Sequence, residues 1–363
     1  MRKLLLSSLA FLSCLFANAQ DNCGSAPWLC NNQTVQGSTI GASAQQGETI
    51  SCGDGVVNNS VWFRYSALQN GSVTVTVNAI NNNPGLEMQA FTGSCGSLSL
   101  TIFCASGSSA TGGSMSMTIS SIAGTIYYIM VDGTNSNAEA FNIVASAPPQ
   151  NILGAPLTSF DPLPSSGCAP LNVLLDNTTT LQGGTNTTYA WKIDGGTYRP
   201  SSGNDTTVNF SFVGLHTIIL RSCNNECGCI SISKDIAAQD LITSITATPT
   251  ASCLGTPIQF NGSAEIQPDP PYTDPGVSAW LWNFNDPASG ANNFASGQTV
   301  SHIFIGNQTT FQVRLIVYGL CGPDTSYTTI TQVPRPVIQA TIPAAICQGA
   351  ALNVSVNAQG STP

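Results

Sequence analysis

Charged side chains are scarce in this sequence. Nine Lys and Arg stand against eighteen Asp and Glu among 363 residues, and beyond Arg2-Lys3 the basic residues are scattered singly. A surface that tracks phosphates needs clustered cations, so this balance argues against nucleic acid as a partner. Histidine is scarcer still, with only His216 and His302. General-base and triad chemistry need a poised base beside a nucleophile or acid. Both histidines fall inside a repeated strand pattern, where a structural role outweighs a catalytic one. The zinc-protease, nucleophile-elbow and phosphate-loop signatures are missing, and no spacing singles out a carboxylate pair for glycoside cleavage. The chain therefore reads as a non-enzyme. After the first twenty residues no apolar run is long enough to span a bilayer, and no transmembrane segment is expected. Nor does any window carry a sustained 3.6-residue stripe, which argues against helices.

What is present begins with a leader. Residues 1–19 combine Arg2 and Lys3, an apolar run from Leu4 to Phe16, and Ala17-Asn18-Ala19 as a small-x-small cleavage site, the make-up of a secretory signal peptide. Cys14 offers a lipoprotein reading, but it lies inside the apolar run and ahead of the cleavage site. Loss of Arg2 and Lys3 takes the formal charge from −9 to −11. Twelve cysteines remain, and export makes disulfides their expected fate. Zinc fails on spacing, because Cys223, Cys227 and Cys229 have no second cluster or histidine nearby. The expected location is secreted or on the cell outer surface.

Period-two strand signals recur at 61–65, 72–77, 115–119, 125–131, 217–220 and 311–317, separated by Gly, Asn, Ser and Pro clusters. The fold class they imply is all-β, a string of tandem antiparallel β-sandwiches. Three stretches open alike: Ser166-Gly-Cys168, Ala251-Ser-Cys253 and Ala345-Ile-Cys347, each leading into an alternating strand. Pro148-Pro149, the segment 240–249 and Val333-Pro-Arg-Pro336 mark junctions. The modules expected are 21–147, 150–239, 240–334 and the start of a further one at 335–363. With 16 residues after Cys347, the sequence reads as the front end of a longer modular protein.

The second and third modules share a central Trp strand, with Trp191-Lys-Ile193 and Trp282-Asn-Phe284, followed by Gly214-Leu-His216 or His302-Ile-Phe304. This order resembles the PKD domain family, although its Gly-Asp-Gly turn is replaced by Asp194-Gly-Gly196 and Asn285-Asp-Pro287. The resemblance implies immunoglobulin-like sandwiches used as spacer or adhesive units. The first module, with Ser60-Val-Trp62-Phe-Arg-Tyr65 and Gly124-Thr-Ile-Tyr-Tyr128, is similar to the pre-peptidase and CUB-like jelly-roll domains of secreted Bacteroidetes proteins. It implies a binding or targeting sandwich and, for the full protein, export by the type IX system.

A bond from the opening strand to the penultimate loop would close nearly a whole module. Loop-closure entropy sets its worth at about 4 kcal/mol. The pairings expected are thus Cys168–Cys227 and Cys253–Cys321, with Cys223–Cys229 left to each other. In the first module Cys95–Cys104 and Cys23–Cys52 are expected, and the partners of Cys30 and Cys347 stay open. No cofactor is expected. Asp269, Asp274 and Asp286 crowd one Pro-rich region and are weak Ca²⁺ candidates, since a hard cation needs six to eight oxygens. Trp280, on the same face as Trp282, is a weak ligand-binding candidate together with Tyr272. The function implied is an adhesin or filament segment acting as spacer and binding surface. Its partners would be an extracellular glycan, a surface protein or neighbouring copies. The alternative is a substrate- or glycan-binding accessory region of a secreted hydrolase or peptidase whose catalytic domain lies outside this chain.

Overall fold

The computed structural model describes residues 20–80, 85–106, 113–253, 255–268, 275–333, 337–341, 348–349, 351 and 354–359. The leader, Cys14, Asp269, Tyr272, Asp274 and Cys347 lie outside these residues. Backbone contacts divide the chain into two compact units. One comprises residues up to Phe160 with Asn177–Asn204 and Ile219–Ser233; the other comprises Asp161–Asp176, Asp205–Ile218 and residues from Lys234 onward.

The first unit begins with β1 (Thr34–Ser38), β2 (Val61–Ser66), β3 (Gly71–Ala79), β4 (Leu86–Ser94), β5 (Ser97–Ser106), β6 (Ser114–Ser121), β7 (Ile126–Gly133) and β8 (Ala140–Ser146). They form two four-stranded antiparallel sheets of order β1-β8-β3-β6 and β2-β7-β4-β5, the winding of an eight-stranded jelly roll. Alternation builds the interior. Val73, Val75 and Val77 from β3 and Met115, Met117 and Ile119 from β6 meet Phe63, Tyr65, Met88 and Ile129 from the facing sheet. Gly37 of β1 has no side chain because Phe63 and Phe141 occupy that space.

The β2-β7-β4-β5 sheet is buried on its outer side as well. There Trp62, Phe91, Tyr128 and Met130 pack under Ile50 and Val57 of a returning loop, so every residue from Leu86 to Phe91 is buried. Trp62 Nε1 donates to Glu48 Oε1 at 2.6 Å, and Ser51 Oγ donates to Gln89 Oε1 at 2.6 Å. Each of these bonds satisfies a polar group that the cover takes from water.

The remaining strands are β9 (Phe160–Leu163), β10 (Ser166–Cys168), β11 (Leu171–Asn177), β12 (Thr188–Ile193), β13 (Arg199–Ser201), β14 (Thr206–Phe210), β15 (Gly214–Asn224), β16 (Gly228–Thr248), β17 (Ala251–Cys253), β18 (Pro257–Gln267), β19 (Ala279–Asn283), β20 (Phe294–Ser296), β21 (Thr299–Ile303), β22 (Thr310–Gly319), β23 (Gly322–Val333), β24 (Val337–Thr341) and β25 (Ser355–Gln359). Within the first unit β12 pairs with β13, and Trp191 sets its ring edge-on to Phe160, 5.0 Å between centroids. Leu153 and Ala155 pack against Cys30 and Cys227.

In the second unit β18 pairs antiparallel with β16 and β21, and β22 lies between β19 and β23. Ile258 and Phe260 from β18 face Trp282, Val313, Leu315 and Ile330, and these side chains form the core of a sandwich. The strand β16 runs unbroken through residues 239 and 240, where the sequence suggests a junction. Among the described residues no helix is long and apolar enough to cross a membrane.

The disulfides correct most of the expected pairings. Cys23 bonds Cys95, Cys52 bonds Cys104, Cys30 bonds Cys227 and Cys168 bonds Cys321; Cys223 and Cys229 bond each other. Cys95–Cys104 fails because Cys95 lies in the turn ahead of β5 and Cys104 near the far end of that strand. Nine extended residues put them roughly 30 Å apart, far beyond the Cα separation a disulfide allows. Cys23–Cys52 fails because the returning loop carries Cys52 across the sheet to β5, leaving Cys23 beside the β4–β5 turn. The larger correction has one cause in both later modules. Cys168 stands beside Gln239 and Cys253 beside Val333, on strands parallel to β16 and β23. The turn cysteines Cys227 and Cys321 lie twelve residues away, at the other ends of those same strands. An extended stretch of about 40 Å separates them. Cys168–Cys227 and Cys253–Cys321 are therefore replaced, and Cys253 is free and exposed.

Candidate functional site

Two places in the structure bring together side chains able to do more than pack. The first is a carboxylate group under the returning loop of the first unit. Glu87 on β4 and Asp132 on β7 are directly opposed in the ladder, so both side chains point to the same, outer face. Both are fully buried. Asp132 is held: the backbone N–H groups of Asn58 and Asn59 donate to its two oxygens at 3.0 and 2.7 Å. Glu87 lies against Asp54, which bonds it through both side chain and backbone.

Asp54 reaches the same place from the exposed loop, accepting from Asn135 N at 2.6 Å and Val56 N at 2.9 Å. These bonds hold its carboxyl below the usual carboxylate range. Burial, and then the charges of Asp54 and Asp132, push the Glu87 carboxyl up to about 7. Burial likewise raises Asp132, against the pull of its N–H donors.

Local sequence explains the geometry. Gly53 turns the loop at φ +64, and a Cβ there would overlap Glu87 Oε2. Cys52 ties the loop to β5 through Cys104. Asn59 bridges the loop to the end of β7, donating to Asn137 O at 2.7 Å and accepting from Gly133 N at 3.0 Å. Among the described residues, no group of three or more His, Cys, Asp or Glu side chains is arranged to hold a metal ion. Asp54, like Asp132, has each of its oxygens engaged by a backbone N–H. Sequence reasoning missed this cluster, whose members are 33 and 45 residues apart. The signal was the Gly-Asp-Gly turn at 53–55, legible only together with the Glu87–Asp132 register.

The second place is the open face of the β17-β23-β22-β19-β20 sheet. Phe294, Asn283, Arg314 and Tyr327 are successive cross-strand partners, and Leu281 with Ile316 form the next row. Phe294 is 60% exposed, Tyr327 58% and Leu281 44%. Trp280, the ligand candidate from sequence, points the other way. Its indole is half-buried against the core and lies over Gly262. Tyr272 lies outside the described residues.

Asp286, the remaining calcium candidate, is buried and its oxygens are already taken. Oδ2 accepts from His302 Nε2 at 3.2 Å and Ile305 N at 3.0 Å, and Oδ1 accepts from Gly306 N at 3.1 Å. It ties down the loop after β21 and has no free oxygen for a cation. His302 stacks on Phe284 at 4.1 Å, and burial lowers its pKa in spite of Asp286. It sits in the core as a neutral N–H donor. His216 accompanies Phe210 at a ring distance of 4.5 Å.

No protein-family model and no curated protein matches the chain. Among solved structures, it is similar to the three N-terminal domains of the bacteriophage RB49 highly immunogenic outer capsid protein Hoc: 15% identity, 58% of this chain and 71% of that one, TM-score 0.32. A bacterial ice-binding adhesin studied for host-cell surface retention aligns at 11% identity over 53% and 71%, TM-score 0.26. Murine CEACAM1b aligns at 12% over 49% and 100%, TM-score 0.23. These superpositions are too loose to carry an argument, and the fold rests on the strands and pairings described above.

Proposed function

We propose that this chain is a non-enzymatic segment of a secreted or cell-surface adhesin or filament, exported by the leader at 1–19. Its modules, 21–147, 150–239 and 240–334, act as disulfide-bonded spacers and present a binding surface. The PKD-like order of the later modules and the type IX route belong to this reading. The observation that carries it is the open sheet face with Phe294, Leu281, Arg314 and Tyr327. Flat aromatic and apolar side chains beside a guanidinium suit stacking on sugar rings or docking a surface protein. Weak contacts of this kind gain strength when modules are repeated along one chain.

The experiment is to probe oxidised protein spanning residues 20–363 on a glycan array and on a panel of surface proteins. Wild type is expected to bind, and the double variant Phe294→Ala, Tyr327→Ala to lose binding with its thermal unfolding little changed. Absence of binding by wild type, or binding indifferent to the double variant, refutes the role of this face.

A further inference from the structure

The bonded cysteines of the later modules follow a rule. Cys227 and Cys321 each stand in a hairpin turn directly before a glycine, Gly228 at φ +77 or Gly322 at φ +98, which opens β16 or β23. Each turn cysteine bonds a cysteine far upstream, near the start of the module that precedes its own in the division proposed above: Cys227 bonds Cys30, and Cys321 bonds Cys168.

Cys253 occupies the place that Cys168 holds. Both end a three-residue strand running parallel to a closing strand, with Cys168 beside Gln239 and Cys253 beside Val333. A bond at the ladder end is repeated as well: Ala237 N donates to Ser165 O and Thr331 N to Thr250 O, both at 3.1 Å. Proline precedes the cysteine by four residues in each case, as Pro164 and Pro249, and does so again in Pro343-Ala-Ala-Ile-Cys347. Yet Cys168 is bonded, whereas Cys253 is free and exposed. Beyond it the backbone starts the same pattern once more. Antiparallel β24 and β25 repeat the pairing of residues 240–248 of β16 with residues 259–267 of β18.

We propose that Cys253 forms a disulfide with the Cys-Gly hairpin turn of a further sandwich module joined after Val333, the module that β24 and β25 open. This inference rests on the tandem-module reading given above. The turn cysteine of its own module is excluded as partner, because Cys321 lies at the other end of β23 and is already bonded to Cys168. Export to an oxidising compartment makes a lasting exposed thiol the exception and a bonded one the rule. The oxidant is a small or protein disulfide, such as glutathione disulfide. The Cys253 thiolate attacks one of its sulfurs and releases one glutathione thiolate; the turn thiolate then attacks the mixed disulfide and releases the second. Two protein thiols lose two electrons and two protons, and two reduced glutathiones take them up.

The test is a non-reducing peptide map of the native protein, alkylated before digestion and taken from the cells that make it. The Cys253 peptide is expected to be joined to a Cys-Gly peptide that contains neither Cys227 nor Cys321. Recovery of Cys253 as the alkylated thiol, joined to a second Cys253, or joined to a cysteine outside any Cys-Gly turn overturns the proposal. The same bond can be built on purpose, with residues 20–333 followed directly by a second copy of residues 240–333. Val333 is joined to Asp240 because Val333 faces Cys253 as Gln239 faces Cys168. In the copy, Cys253→Ser removes the competing thiol and Leu320→Val marks the turn, so that peptide masses tell the two turns apart. After refolding in reduced and oxidised glutathione, the marked turn is expected on Cys253 and the unmarked one on Cys168. A copy protected from hydrogen exchange while Cys253 still alkylates overturns the proposal; where the copy does not fold, the native map decides. The adhesive role is read separately, from the Phe294→Ala, Tyr327→Ala variant, so that either conclusion can fail without the other.

Discussion

At the scale of single residues, backbone conformation and burial decide what each position tolerates. Gly53 combines a left-handed φ with a carboxylate in the space of its missing Cβ. Gly53→Ala is therefore expected to cost about 1–3 kcal/mol in urea unfolding, the range for strain at a special φ with steric displacement. Trp282 is buried at 2% exposure, and its Nε1 donates to Gly297 O at 2.8 Å. Trp282→Ala is expected to cost about 3–5 kcal/mol. Trp280→Ala, at a half-buried rim, should cost visibly less by the same denaturation curves.

Two titrating side chains should pull stability in opposite directions. Glu87, raised from an ordinary value of 4.5 to about 7, favours the protonated folded form, so its contribution is complete below pH 4.5 and is lost as pH rises towards 7. His302, lowered below an ordinary 6.5, favours the neutral folded form, so its contribution is present above pH 6.5 and is lost as pH falls below it. Hydrogen exchange is expected to show β4 and β7 amides losing protection as pH rises from 4.5 towards about 7. β19 and β21 amides should lose it as pH falls below 6.5. Exchange rates are to be corrected for their intrinsic pH dependence, and parallel loss in both regions would refute the assignment.

At the scale of elements, strand existence was legible because alternation is a direct consequence of one buried face. The patterns at 72–77 and 115–119 became β3 and β6, and those at 217–220 and 311–317 became β15 and β22. Periodicity says which side chains share a face, and nothing about what covers it. That is why the second burial of β4 and β7, under residues 48–59, escaped notice along with the carboxylates it encloses. It is also why Trp280 was a plausible surface aromatic, although its face is the core face and the open one belongs to Leu281. The disulfide pairs failed for a related reason. A spacing counts residues, whereas an extended strand turns each of them into about 3.3 Å of separation. Because Cys52 is the covalent hold on the covering loop, Cys52→Ser with Cys104→Ser is expected to leave the jelly-roll core folded by circular dichroism. The same change should open residues 48–59 to limited proteolysis, and equal protease resistance in variant and wild type would show that packing alone holds the loop.

At the scale of the whole molecule, the bonds Cys30–Cys227 and Cys168–Cys321 enclose stretches that overlap, since Cys168 precedes Cys227. A chain pulled from its two ends does not then carry tension along its full length. From Cys30 the load passes across sulfur to Cys227, back along 59 residues to Cys168, and across sulfur again to Cys321. The 291 residues that separate Cys30 from Cys321 in sequence behave as a tether of 59. At about 3.6 Å per residue this limits the fully stretched span to roughly 210 Å, against roughly 1,050 Å once the bonds are reduced. Stretching single molecules held just outside Cys30 and Cys321, with and without reductant, should reveal the difference directly. The middle segment is pulled in reverse, and the strands outside it are shielded from load altogether. Overlapping bonds thus make a short, inextensible strap out of a long chain.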